Sequence, residues 1–336
     1  GLYLVSSLVS CLVCDDAAFG LRRSDEGSPA DLMTLFEGGG GGDGGMEGSL
    51  WSGSLFSFTS PLDTILDRDC SLEELLDEDE LLQEIKSNNS RLIEMLSDYD
   101  WLSKMIHYMT VPAPPDADDL RKHKYPYMSC EVLCCDVASM VNTLVDERDG
   151  ALLHDLFAVI RSETPVSHRL AGYFEKVLNI VFRRKSMSVV SYINGCGLPL
   201  LQSFARQLHN HSAMQSLRVL LLPGIGMARE DSSMVGYGFD DMHEPEQPEP
   251  ETSLDCSWHS DEKVIDVLLE QLVTATDADK RMHVSELLLS LLDMSAADSP
   301  FGKKLTSSTT AEALVACAVP QPPGGDSSAS VATAAM

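Results

Sequence analysis

The residues with the types and spacing to do chemistry are Cys11-x-x-Cys14, vicinal Cys134-Cys135, the pair His209 and His211, and the run Pro223-Gly224-Ile225-Gly226. Cys11 and Cys14 are spaced for zinc or dithiol chemistry, but no second pair and no nearby histidine complete a site. Cys134 and Cys135 sit in an apolar helical pattern with nothing basic close by to lower a thiol pKa, which reads as packing. His209 and His211 fall in a predicted loop with no flanking Asp or Cys, which reads as ordinary surface. The glycine pair lacks the third glycine of a dinucleotide fingerprint and follows a helix-like stretch, with no βαβ unit around it. No Gly-x-Ser-x-Gly, His-Glu-x-x-His or phosphate loop occurs. The expectation is therefore no catalytic residue, no cofactor and no metal.

The remaining chemistry is charge. Lys plus Arg is 24 against 52 Asp plus Glu, a formal net charge of −28 over 336 residues. A nucleic-acid binder needs a basic face for phosphates, and an anionic membrane surface also selects for basic protein, so neither partner is expected. A basic patch on a partner protein fits better. Two basic spots stand out, Arg121-Lys122-His123-Lys124 and Arg183-Arg184-Lys185. Each has a plainer explanation. Tyr125-Pro126 fits a helix start with the ring in a staple-like contact, and Arg183 to Lys185 would oppose the dipole at a helix C-terminus. As a nuclear import signal the second cluster is too short.

These residues need elements to position them. The nine cysteines are odd in number and irregularly spaced, as expected in a reducing compartment. The apolar opening, Leu2 to Cys14, lacks the basic start of a signal peptide and is too short to span a bilayer. Residues 1–49 end in a glycine-rich run and read as a disordered leader. From about Pro61 the pattern is helical. Ser71 with Glu74 is a capping-box signature before Leu72, Leu75 and Leu76. Leu81 to Leu96 reads as one amphipathic helix, and Trp101, Met105, Ile106 and Met109 as another. Pro112 to Asp119 ends that run, and Pro126 suits the first position of the next helix.

Further helices are predicted over 136–145, 151–161, 166–184, 187–193, 198–208 and 213–222, with short loops between them and no sustained period-two alternation. Paired helices with short loops predict an all-α helical repeat solenoid of the armadillo or HEAT kind, although no strict repeat is visible and a compact bundle would give the same pattern. Its first part covers 50–222. Residues 223–257 form an acidic, proline-rich insertion: between Arg229 and Lys263 there are eleven Asp or Glu in 33 positions and no Lys or Arg. Helices over 261–273 and 278–292 resume the domain across 258–295. Residues 296–336 read as a low-complexity tail, with no packed element expected beyond about residue 315.

Four places in this order carry a resemblance to a known family. They are Ser60-Pro61-Leu62-Asp63-Thr64-Ile65-Leu66 leading into Glu73 to Glu80 and Leu82-Gln83-Glu84; Lys124-Tyr125-Pro126 with Cys130-Glu131-Val132-Leu133; Phe174-Glu175-Lys176-Val177-Leu178 with Arg183-Arg184-Lys185; and Trp258 with Glu262-Lys263-Val264-Ile265 and Asp279 to Glu286. Over roughly residues 55–295 the chain resembles the SAPS-domain proteins, the phosphatase-associated regulatory subunits of protein phosphatase 6-type enzymes. The resemblance implies a noncatalytic scaffold that binds the phosphatase catalytic subunit, with further scaffold subunits as additional partners, and directs it to substrates. The metal ions and hydrolytic water would belong to that partner. It implies a cytoplasmic location, with the nucleus second. On such a scaffold the expected partner contacts are Arg121, Lys124, Tyr125 and Glu131, then Arg183, Arg184 and Lys185.

The chain departs from the family pattern at both ends. The family opens with a Phe-Trp pair near its initiating Met, where this chain has only Leu50-Trp51 and Leu55-Phe56 behind the glycine-rich leader. The family's helical domain also runs on past the position of Leu292, so the chain reads as a fragment. The competing expectation is a general helical-repeat adaptor in trafficking or signalling with no phosphatase partner.

Overall fold

Short polar residues set the helix starts. After α1, Pro61–Leu66, Ser71 accepts a hydrogen bond from the Glu74 N–H (3.2 Å) and so caps α2, Leu72–Asp77. Glu73 and Glu74 lie in the first turn of α2, where negative charge suits the helix dipole. The computed structural model describes residues 61–68, 70–222, 256–259, 261–294 and 299–318. The leader, most of the acidic insertion and the last part of the tail lie outside the described residues.

The stretch 81–96 is two helices rather than the single one its periodicity predicts. α3 spans Leu81–Lys86 and α4 spans Ser90–Leu96. Asn88 between them takes a left-handed backbone (φ 61°), a conformation that asparagine tolerates, and Asn89 caps α4 by accepting from the Leu92 N–H. Asp98 caps α5, Tyr99–Thr110, through the N–H groups of Asp100 and Trp101.

α6, Tyr125–Cys134, does not begin at Pro126. A π-helical turn, Leu120–Lys124, runs straight into it. Pro126 has no N–H for the Lys122 carbonyl and its ring crowds that carbonyl, so the widened turn before it accommodates both effects.

The next elements are α7 (Ala138–Asp146), α8 (Ala151–Leu156), α9 (Ala158–Arg161), α10 (His168–Arg184), α11 (Ser186–Cys196), α12 (Leu198–Arg206) and α13 (His211–Leu221). After the insertion come α14 (Lys263–Thr274) and α15 (Ala278–Met294). The turn into α8 is left-handed at Arg148, Asp149 and Gly150 (φ 48°, 57° and 74°), so glycine at its last position avoids a Cβ penalty. No strand occurs among the described residues.

The helices stack in two rows. α6, α10, α13 and α15 follow one another in the first, and α8 with α9, then α12 and α14, follow in the second. This is the solenoid the short loops predict. Each helix turns an apolar stripe inward; on α10 it is Leu170, Phe174, Val177, Leu178, Val181 and Phe182. Between the rows runs an aromatic spine. The Phe157 ring lies 4.9 Å from Tyr192, 5.2 Å from Phe174 and 6.4 Å from Phe204, and Phe204 meets Trp258 edge-on at 6.3 Å.

The expected tail from 296 needs correction. Ser299 caps α16, Pro300–Leu305, by accepting from the Gly302 N–H (3.0 Å), and α17 follows at Ser308–Ala318. Both pack on α14 and bury Phe301, Leu305 and Leu314. Low average hydrophobicity conceals three large apolar residues at helical spacing, and a Ser cap followed by proline starts the first helix.

Candidate functional site

The basic residues singled out by sequence lie where α2, α6, α7 and α10 meet, and most of them are held by carboxylates of the same chain. Lys124 Nζ donates to the Asp77 carbonyl (2.7 Å) and to its carboxylate, tying the start of α6 to the end of α2. The Tyr125 ring stacks obliquely on Tyr108, centroids 5.7 Å apart. The Arg121 guanidinium lies over the other aromatic neighbour of that site, 4.6 Å from the Tyr108 ring centroid, and donates weakly to the Val111 carbonyl (3.4 Å). Arg121 and Tyr125 thus cluster on Tyr108, while Lys124 is turned to Asp77.

Glu131 belongs elsewhere. Nearly two turns into α6 it accepts from Lys176 of α10 (3.0 Å). The last turn of α10 makes a second clip. Arg183 Nη2 donates to Asp136 Oδ2 (2.7 Å), and Arg184 donates to Asp136 Oδ1 and to its carbonyl (2.7 Å). Asp136 holds a left-handed backbone (φ 60°) in the turn after α6, a conformation open to aspartate. Lys185 donates to Asp146 at the end of α7 (3.0 Å). Charge opposite the dipole of α10 therefore also couples three elements, so the plainer explanation of this cluster holds in part.

Sequence reasoning missed Asp77, Asp136 and Asp146, the carboxylates that hold these cations, and the pairing of Tyr108 with Glu73. Their acidic or aromatic type gave no local signal, because the pairing spans 35 to 48 residues. The Tyr108 hydroxyl donates to Glu73 Oε1. Partial burial pushes the Glu73 carboxyl up, but the hydrogen bonds from Tyr108 and backbone and the Lys104 charge outweigh it and hold the carboxyl below its usual range. Burial and the Glu73 carboxylate both push the Tyr108 phenol well up, so it stays protonated.

A pH dependence follows. A depressed carboxyl stabilises the fold above its unfolded-state pKa and loses that contribution as pH falls through the lower folded value. Tyr108→Phe removes the donor and is expected to cost about 1 kcal/mol at neutral pH, discounted for the exposure of Glu73. The gap between variant and parent in chemical denaturation should close as the solution is acidified below the carboxylate range. A gap independent of pH would show that Glu73 is not the coupled group.

Beside this cluster lies a groove of about 720 Å³. One wall is Val111 to Pro115 and the other is Ser162 with Thr164 to Ser167, with Pro126, Val159 and Leu170 below and Lys122, His123 and Arg169 on the rim. Among the described residues no group of three or more His, Cys, Asp or Glu is placed to hold a metal ion, and no single helix is long and apolar enough to cross a membrane. Cys130 and Cys134 approach to 4.0 Å within α6, and burial together with the Cys134 contact keeps the Cys130 thiol protonated.

The chain is 31% identical over 249 residues to serine/threonine-protein phosphatase 6 regulatory subunit 3 of Gallus gallus, an alignment covering 73% of the chain and 25% of that protein. It is 26% identical over 238 residues to regulatory subunit 1 of the same phosphatase from Homo sapiens, covering 70% of the chain and 24% of that protein. It is also 26% identical over 257 residues to extragenic suppressor of kinetochore protein 1 of Schizosaccharomyces pombe, covering 74% of the chain and 28% of that protein. The chain therefore spans about a quarter of the length of the curated relatives it matches. No family model and no solved structure matches it.

Proposed function

By homology the chain belongs to the SAPS-domain family of protein phosphatase 6 regulatory subunits, and from that premise we propose that it is a noncatalytic scaffold binding the catalytic subunit of a phosphatase 6-type enzyme and directing it to substrates. The observation that carries this reading is the 31% identity over 249 residues, 73% of the chain. The two-row solenoid supports it, because stacked repeats present an extended surface to a partner. A cytoplasmic location, with the nucleus second, is part of the proposal; the free thiols of Cys130, Cys134, Cys135 and Cys196 suit a reducing compartment.

The proposed contact is Arg121, Lys124, Tyr125 and Glu131, with Arg183, Arg184 and Lys185 second. Their intrachain partners orient these side chains and reduce the entropy lost on binding. Tagged chain incubated in lysate should co-purify a phosphatase 6-type catalytic subunit in near-equimolar amount, with serine/threonine phosphatase activity in the eluate. Lys124→Glu with Tyr125→Ala should reduce that capture by about tenfold, since interface energy concentrates in aromatic and basic anchors. Retained capture would remove these residues from the contact. Capture lost only in proportion to lost helicity would assign them to the fold.

A further inference from the structure

We propose that the groove lined by residues 111–115 on one side and by Ser162 and residues 164–167 on the other docks an extended acidic peptide segment of a partner protein. The proposal goes beyond the phosphatase contact and does not depend on it. The first observation is charge. Among 336 residues acids outnumber Lys and Arg by 52 to 24, yet no Asp or Glu lines this groove. Lys122 and Arg169 carry positive charge on its rim, and neither has a carboxylate partner among the described residues. Arg169 Nη1 donates to His123 Nδ1 (2.8 Å), which leaves the far ring nitrogen of His123 to carry the proton and donate outward. A carboxylate ligand would find three donors here that the fold has not consumed.

The second observation is shape. Pro112, Pro114, Pro115, Pro126 and Pro165 give the groove rigid apolar surface with few backbone donors, and its volume of about 720 Å³ is that of a ligand site. Such surfaces accept extended, proline-containing chain, whose ordering costs little entropy. The third is preorganisation. Buried Gln207 donates to the Ser162 carbonyl (2.9 Å) and the Thr164 carbonyl (3.1 Å) and accepts from the Val166 N–H (3.0 Å). One wall is therefore fixed before any ligand arrives. On the other, Ala117 donates back to the Pro114 carbonyl (3.0 Å).

The test is fluorescence anisotropy of the full chain with a labelled Glu-Pro-Leu-Glu-Glu-Pro-Leu-Glu peptide, beside the same peptide with Lys for Glu. Because the chain repels anions as a whole, uptake of the acidic peptide reports a local site. Saturable binding that weakens with salt is expected, with none for the Lys peptide. Lys122→Glu with Arg169→Glu should weaken it about tenfold or more at unchanged melting temperature. Ala158→Trp, at an exposed position that also lines the groove, keeps the rim charges but obstructs the space and should weaken it as well. Both variants should capture the phosphatase catalytic subunit as the parent does. Equal binding by the charge-reversed variant, or by the Lys peptide, overturns the proposal. Loss of phosphatase capture in both variants also overturns it, by assigning the groove to that interface. Deletion of residues 240–255 should leave the affinity unchanged; a gain would mean the chain's own acidic tract occupies the groove in place of a partner.

Discussion

Phe157→Ala is expected to destabilise the fold by about 3–5 kcal/mol, the range for truncating a buried aromatic. Phe157 is fully buried and joins Phe174 of α10, Tyr192 of α11 and Phe204 of α12. It sits between α8 and α9, where the chain turns within the second row. Collapse of four elements onto the vacated space would require both rows to shift, so the cavity term should be near its upper end. A drop in melting temperature on the order of 10 °C should accompany the change. Phe157→Leu restores most of the volume and should recover more than half of the loss. If alanine costs under about 1 kcal/mol, the spine is not what couples the rows.

Trp258→Ala is expected to cost about 3–5 kcal/mol as well, but with a different distribution. Trp258 is 2% exposed and is the point where the chain rejoins the solenoid after the acidic insertion. Its neighbours fasten the same short turn: the Ser257 N–H donates to Asn194 (2.8 Å), and His259 pairs with the Leu220 carbonyl (2.9 Å). In a stacked-repeat protein stability is close to a sum of local and nearest-neighbour terms. Truncating Trp258 should therefore release α14 to α17 while α5 to α10 keep their protection. Hydrogen exchange should show that split; uniform loss of protection would contradict it. The indole N–H of Trp258 has no hydrogen-bond partner among the described residues. Trp258→Phe, which removes that buried donor with the ring's outer edge, should cost much less than alanine.

How far these features were legible in the sequence depends on the range of the interaction. Local signals were read correctly: the Ser71–Glu74 cap, the stop at Pro112 and the long helix predicted over 166–184 all depend on residues a few positions apart. The break at Asn88 was missed because periodicity continues through it, and only the tolerance of asparagine for a left-handed backbone hinted at a turn. The π turn before Pro126 was missed because proline usually marks a start, whereas here the helix already exists upstream. α16 and α17 were missed because composition averages over residues, while Phe301, Leu305 and Leu314 act singly.

The candidate site shows the same limit more strongly. Sequence found the cations but not the acids that hold them, since Lys124 meets Asp77 and Arg184 meets Asp136 only after the rows stack. The rim of the groove was legible only in part: Lys122 and His123 stood out in a basic run, but their meeting with Arg169 did not. Lys122 and His123 come from the π turn and Arg169 from α10, and nothing in either segment signals the other.

The central claim is that this chain is a scaffold for a phosphatase 6-type catalytic subunit, and the most direct test is sedimentation of the two purified proteins mixed at known concentration. An equimolar complex is predicted, with phosphopeptide hydrolysis tracking the catalytic subunit and absent from the chain alone. A folded, helical chain that sediments separately from the catalytic subunit at every ratio would contradict the claim and favour an adaptor with no phosphatase partner.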